Sequence, residues 1–202
     1  QPAVAQHVGH RQLLRPVAYD VAEDSAADVE LPDPAGDRPL VYLTMGTVFN
    51  DSPALRQAVD TVAALDVRLL VTVGPGGDAA ALGDQPPHVR IERYVPQTLV
   101  LGRCDVVASH AGSGTVLAAL SLGIPQLCLP QGADQFGNAA AIAGAGAGLA
   151  LLPAEAAGTV IADAVARLLV QPSFRDAATR VRETIESMPG PEDVAAVLER
   201  LA

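Results

Sequence analysis

The amino-acid sequence predicts an α/β fold, a three-layer sandwich in which a parallel sheet of about six strands carries helices on both faces. Short apolar runs alternate with helix-length segments from Pro39 onward, the order expected of strand–helix–strand units. The runs are almost continuously apolar, as burial on both faces of a parallel sheet demands. Each stops at a cluster of Gly, Pro and polar residues, which gathers the special turns at the carboxyl edge of the sheet.

The first run, residues 40–45, ends at Gly46, and a helical stretch covers about 52–65. The second, 67–73, ends at Gly74-Pro75-Gly76-Gly77. Residues 89–94 alternate and end at Val95-Pro96-Gln97, and a short helix over about 98–101 leads to the fourth run, 105–109. That run ends at His110-Ala111-Gly112-Ser113-Gly114-Thr115, from which a helix continues to about 122. A fifth run at 125–129, a helix over 134–143 and a sixth run at 148–152 complete the sheet. Helices over about 156–170, 173–187 and 191–201 close the chain. Residues 1–38 carry Pro16, Pro32 and Pro34, several acids and no sustained helical period, and read as a lead-in and linker. Residues 39–202 read as one Rossmann-like domain, whose ligands belong at the carboxyl ends of its strands.

Half of the 202 residues are apolar and only 3% are aromatic, so the core rests on aliphatic packing and the composition argues against disorder. The net charge is −10, and all 13 basic residues are arginines. Without lysine there is no Walker-type phosphate contact and no Schiff base. Without a basic patch, neither nucleic acid nor an anionic membrane is an expected partner. Cys104 and Cys128 lie at or near apolar runs and read as small buried hydrophobes, compatible with a reducing cytoplasm. No segment reads as a secretory leader or a membrane span, so a cytoplasmic location is expected. No carboxylate cluster suggests a divalent ion, and no cofactor or metal is expected.

The strongest chemical signal runs from His110 to Asn138. A strand ends at His110 and a helix begins within Gly112-Ser113-Gly114-Thr115. The glycines allow close backbone approach, and the first N–H groups of the helix face the strand-end crevice with the positive end of the helix dipole behind them. Ser113 or Thr115 could cap the helix and offer a hydroxyl to an anion, and His110 could add a donor. This is a lysine-free diphosphate cradle, or equally a capped Gly-rich turn beside a surface histidine. Asp134 could be simply the N-cap of its own helix. His7, His10 and His88 lack partner patterns and read as solvated.

The ordered set Tyr94-Val95-Pro96-Gln97, His110-Ala111-Gly112-Ser113-Gly114-Thr115, Gly123-Ile124-Pro125 and Asp134-Gln135-Phe136-Gly137-Asn138 resembles the signature region of family 1 glycosyltransferases. Within that family the resemblance is to actinobacterial enzymes of antibiotic biosynthesis and other secondary metabolism. Gly46-Thr47-Val48-Phe49 and the stretch from Met188 to Glu192 extend the similarity over nearly the whole chain. The resemblance implies the nucleotide-sugar-binding half of a GT-B fold. Tyr94 then stacks on the base, in place of the family's usual tryptophan, with Val95 and Gln97 beside it. Gly46, Thr47, His110, Gly112, Ser113, Gly114 and Thr115 hold the diphosphate, His110 stabilises the leaving group, and Asp134 and Gln135 bind the sugar. Asn138, one turn on, orients that loop.

Many relatives carry a glutamate for the ribose hydroxyls where this chain has Ala118, which favours a dTDP-sugar over a UDP-sugar. The implied reaction is an inverting, metal-independent transfer of a (deoxy)hexose to a small natural-product acceptor. Acceptor and catalytic base belong to an N-terminal domain, and Leu14-Arg15-Pro16-Val17 resembles the linker to it. With that domain expected to be absent, the chain should bind nucleotide without transferring sugar. Rival readings are a non-catalytic nucleotide-binding module, a transferase acting on lipid-linked acceptors, and an NAD(P)-binding oxidoreductase domain. The last rests on Gly144-Ala145-Gly146-Ala147-Gly148, which reads better as a helix end and turn.

Overall fold

The computed structural model describes residues 12–17, 31–32, 37–46 and 53–200. Six strands are present among them: β1 (Leu40–Thr44), β2 (Arg68–Thr72), β3 (Val89–Glu92), β4 (Val106–Ser109), β5 (Gln126–Cys128) and β6 (Gly148–Ala150). All pair in parallel, in the order β3-β2-β1-β4-β5-β6. The helices are α1 (Pro53–Ala63), α2 (Gln97–Val100), α3 (Ser113–Ser121), α4 (Gln135–Gly144), α5 (Gly158–Val170), α6 (Pro172–Glu186) and α7 (Pro191–Glu199). Every strand and helix read from the sequence is therefore present, with its ends shifted by a few residues at most. A 3₁₀ turn over Ala79–Leu82 is additional, held where the Asp78 side chain accepts the Ala80 N–H at 2.9 Å. A single turn is too short to show a hydrophobic period.

Strict alternation along the strands divides the core between two faces. Val41 and Leu43, Leu69 and Val71, and Val106 and Ala108 pack together on one side with residues of α1 and α5. Leu40, Tyr42, Leu70 and Val107 face the other way, toward Val100, Leu101 and Ala119. On that same side α3, α4 and α6 close over Cys128 through Val116, Leu120, Ala139, Ile142 and Ala178. Removing each large aliphatic side chain from water contributes about 1.5–3 kcal/mol, which is how a chain so poor in aromatics holds a three-layer fold. Burial pushes both the Cys104 and Cys128 thiols up to about 12.

Two described pieces of the stretch read as linker touch the domain. Leu31 is buried beside Leu40 and Tyr42. Further back, the Arg15 N–H donates to the Pro189 carbonyl at 2.8 Å, fastening residues 12–17 next to the start of α7. Among the described residues no helix is long and apolar enough to cross a membrane.

The strand order fixes where a ligand can go. The chain winds outward from β1 through β2 to β3, then returns to β4 on the opposite side of β1. Successive connections therefore leave β1 and β4 in opposite directions, opening a crevice above their carboxyl ends. Gly46 follows β1 and His110 follows β4.

Candidate functional site

The two chain ends at the crevice are shaped around one imidazole. Gly46 has φ +74°, and a Cβ built there would lie 2.6 Å from His110 Cε1. Gly112 is extended (φ −65°, ψ 141°), so its backbone would accept alanine, but its Cβ would meet His110 Nε2 at 2.4 Å. Both positions are glycine because the ring lies against them. Between His110 and Gly112, fully buried Ala111 adopts φ +63°, a left-handed conformation that costs an alanine about 1–2 kcal/mol. The Asn138 amide steadies it by donating Nδ2 to the Ala111 carbonyl at 2.9 Å. His110 Nδ1 is buried and has no hydrogen-bond partner among the described residues. Burial lowers the His110 pKa below the ordinary histidine value, opposed in part by the Thr44 main chain and the Asp134 carboxylate. The Thr44 main chain lies close enough to favour the charged form without making an aligned bond.

The strained turn delivers the chain into α3 with its first amides open. Among the described residues none accepts a hydrogen bond from the N–H of Gly112, Ser113, Gly114 or Thr115. The expectation that Ser113 or Thr115 caps this helix is not met. Gly112 occupies the N-cap position and has no side chain, the Ser113 hydroxyl donates to Asp134 Oδ2 at 2.7 Å, and Thr115 Oγ1 accepts from Gln97 Nε2 at 3.0 Å. Both hydroxyls are drawn sideways, leaving the amides to an outside acceptor.

Beside α3 lies a cavity of about 450 Å³. Tyr94, Val95 and Gln97 line it from the β3 side, and Gly46, Gly114 and Thr115 from the other. Tyr94 is 56% exposed, far from the burial of a core tyrosine, and is part of the cavity wall. Ala118 is also in the wall. His110, Gly112, Ser113, Asp134 and Gln135 lie outside this lining. They belong to a second cluster, across the first turn of α3, joined to the cavity through that helix.

In the second cluster Asp134 is exposed and accepts from Ser113 Oγ at 2.7 Å and from Asn138 Nδ2 at 3.1 Å. These bonds, the Ser113 hydroxyl first, hold its carboxyl below the usual carboxylate range. Asp134 immediately precedes α4, yet its side chain makes no capping bond, because the carboxylate is turned toward Ser113. Gln135 is buried, and its Oε1 accepts the N–H groups of Gln131 and Gly132 at 2.7 and 3.1 Å. Its oxygen therefore shapes the turn, and only its amide nitrogen is left for a sugar. Thr47, assigned to the phosphates, lies outside the described residues, as do His7 and His10. His88, read as solvated, is instead partly buried, with Nε2 2.9 Å from the Ala63 carbonyl at the end of α1.

Several cavity residues escape a reading of the sequence. Tyr42, Thr44 and Thr72 form part of the lining, and Arg93 is the one charged side chain in it among the described residues. Tyr42 sits mid-strand among Leu and Val, where nothing but core is expected. A usable signal did exist in the two threonines, since a hydroxyl near the carboxyl end of a buried strand occurs in both runs. In the sheet they are register partners. Gly144 ends α4 and Gly146, at φ +71°, turns the chain into β6. That glycine-rich stretch thus lacks the strand–turn–helix order of a dinucleotide fingerprint. Among the described residues no group of three His, Cys, Asp or Glu side chains could hold a metal ion.

An open parallel sheet of this order, with uncommitted helix amides and a tyrosine-lined cavity at its switch point, defines a Rossmann-like α/β domain. The chain belongs to the family of erythromycin biosynthesis protein CIII-like C-terminal domains, which it matches over residues 56–201. It is 40% identical over 166 residues to the elloramycin glycosyltransferase ElmGT of Streptomyces olivaceus, covering 80% of this chain and 41% of that one. It is 34% identical over 170 residues to the 10-deoxymethynolide desosaminyltransferase of Streptomyces venezuelae, covering 82% of this chain and 40% of that one. Among solved structures, the spinosyn rhamnosyltransferase SpnG superposes with a TM-score of 0.84 at 33% identity, over 96% of this chain and 53% of that one. SpnG has also been solved with thymidine diphosphate, and that complex superposes with a TM-score of 0.80. The fold is that of the C-terminal domain of GT-B glycosyltransferases. The chain spans about 40% of the length of these curated relatives.

Proposed function

We propose that this chain is the donor-binding domain of an inverting, metal-independent glycosyltransferase that moves a deoxyhexose from a dTDP-sugar to a small natural-product acceptor. The observation that carries the proposal is the run of open amides from Gly112 to Thr115, set between the Tyr94 cavity and the Asp134 cluster. In this reading the base stacks on Tyr94 with Val95 and Gln97 at its edge. The diphosphate lies across Gly46 and the start of α3, and the sugar hydroxyls meet Asp134 and the Gln135 amide. Ala118 puts a methyl group in the cavity wall, without an acceptor for a ribose 2′-hydroxyl, which favours thymidine over uridine donors. The relatives' names and the thymidine diphosphate complex of SpnG support the same substrate class.

The chemistry follows from where charge develops. As the bond from the anomeric carbon to the diphosphate breaks, negative charge grows on the leaving oxygens. Fixed amides and the amino end of α3 stabilise that charge without reorganising, and His110 adds a ring N–H or, once protonated, a full charge. The acceptor hydroxyl is deprotonated by a base outside this domain.

A thermal-shift comparison of nucleotides tests the proposal. Thymidine diphosphate at a hundred times its dissociation constant should add about 2.7 kcal/mol to the stability of the chain. Absence of a shift with any nucleoside diphosphate, or clearly tighter binding of uridine diphosphate, would overturn the function or the donor, respectively.

A further inference from the structure

We propose that Tyr42 is a positioning residue whose buried hydroxyl keys the base side of the site to the diphosphate side. The inference rests on the nucleotide-binding reading above and adds a residue, and a coupling, to it. Tyr42 is 1% exposed in β1, under the cavity. Its hydroxyl lies 2.8 Å from Thr72 Oγ1 of β2. The side chains of Thr44 and Gln97 lie beside the same hydroxyl without making an aligned hydrogen bond to it. Each of these leads to a different part of the site. Thr44 Oγ1 accepts the N–H of Gly46 at 3.2 Å, and Gln97 Nε2 donates to Thr115 Oγ1 at 3.0 Å. One hydroxyl, bonded to Thr72, thereby sits beside the two side chains that lead to the turn after β1 and to the first turn of α3.

A purely packing role does not account for it. Phenylalanine would fill the same space without a buried polar group to satisfy, and a buried hydroxyl costs stability unless it is bonded. All five side chains, Tyr42, Thr44, Thr72, Gln97 and Thr115, line the one cavity. Gln97 cannot shift to meet a base without moving its bond to Thr115, so occupation of one half of the site sets the geometry of the other. Such coupling is a free energy, readable as a ratio of affinities.

The measurement is calorimetric or NMR titration of the full chain with thymidine and with thymidine diphosphate, for wild type, Tyr42→Phe and Thr72→Val. Both substitutions remove one hydroxyl with little change of volume, so either suffices if the other impairs folding. The expected result is that the advantage of thymidine diphosphate over thymidine falls about tenfold, the scale of one lost buried hydrogen bond, while thymidine itself changes less than twofold. An unchanged ratio in both variants, even with a lowered melting temperature, would leave Tyr42 a purely structural residue and overturn the proposal. Wild-type protein that binds the diphosphate no better than thymidine would instead sink the nucleotide reading, and this inference with it.

Discussion

Gly114 separates folding from binding more sharply than any other position. It is the second residue of α3, its φ is not positive, and a Cβ built on it meets nothing within 4 Å. Neither backbone conformation nor crowding by the described residues asks for glycine there. Glycine inside a helix costs up to about 1 kcal/mol relative to alanine, and somewhat less in the first turn. Gly114→Ala should therefore stabilise the chain, raising its melting temperature by about 1–4 °C for a protein of this size. Yet Gly114 lines the cavity, so the new methyl group enters the space where a diphosphate would approach the open amides. A methyl forced into a filled contact costs about 1–3 kcal/mol, or roughly tenfold to a hundredfold in affinity. Differential scanning fluorimetry reads the first quantity and titration calorimetry with thymidine diphosphate the second. The two should move in opposite directions. A raised melting temperature with unchanged affinity would show that the phosphates do not pass Gly114, and the cradle would have to be redrawn.

Gly112→Ala should act differently. Its backbone suits alanine, so the variant should fold, but the 2.4 Å approach to His110 Nε2 must be relieved by moving the ring. Affinity for thymidine diphosphate should drop about tenfold or more, and unaltered binding would show that the His110 position is immaterial. The His110 pKa is lowered in the free protein, and a bound diphosphate should raise it. Binding then takes up a proton between the two values, so affinity is highest below the free-state pKa and falls as pH rises through that of the complex; calorimetry in buffers of different ionisation enthalpy over a series of pH values checks this, and an uptake unchanged in His110→Asn removes His110 from the phosphates. In the free protein the same depressed pKa means that the unfolded chain binds protons first, so this group's stability contribution is lost as pH falls below about 6.5. Melting curves should show wild type losing stability relative to His110→Asn as the pH falls through that range. Asn138→Ala removes the amide that donates to Ala111, Ser113 and Asp134 and should cost about 1–3 kcal/mol in urea unfolding. A loss below about 0.5 kcal/mol would mean that the Ala111 turn supports itself.

The fold was legible because its signal is local and repeated. Runs such as Leu40–Thr44 and Arg68–Thr72 are aliphatic from end to end, and each is bounded by glycine or proline. Strand order is not local. Alternating strands and helices are compatible with several orders, and only the crossover to β4 places His110 beside Gly46, so the shared packing that explains two glycines was invisible. The cap readings failed for a related reason. Ser113 and Asp134 each look like an N-cap to their own neighbours, but the fold brings them within 2.7 Å and their bond to one another prevails. Gln135 spends its oxygen on two amides that precede it, and Tyr42 becomes a site residue only because the cavity lies over its strand. Each miss concerns a polar group whose partner is set by tertiary contact rather than by neighbours in sequence.

Where the chain departs from the residue that folding alone would choose, the departures cluster. Two non-glycine residues among those described have positive φ, Ala111 at 63° and Ala133 at 53°, and each lies next to a proposed ligand-binding residue. Asparagine or glycine would relieve either conformation, and alanine would suit the helix better at 114. Elsewhere among the described residues the positive-φ positions are filled by glycine, as at Gly83, Gly123 and Gly146. Local rules are thus obeyed away from the crevice and broken around α3 and the start of α4, the pattern expected where a site is built at some cost in stability. It also explains how a chain of net charge −10 without lysine could hold a diphosphate. Long-range charge opposes the ligand but is screened within about 8 Å at physiological salt. Affinity must then come from donors fixed at contact distance, and fixing those at the start of α3 is what the strained turn, the paired glycines and the Asn138 amide accomplish.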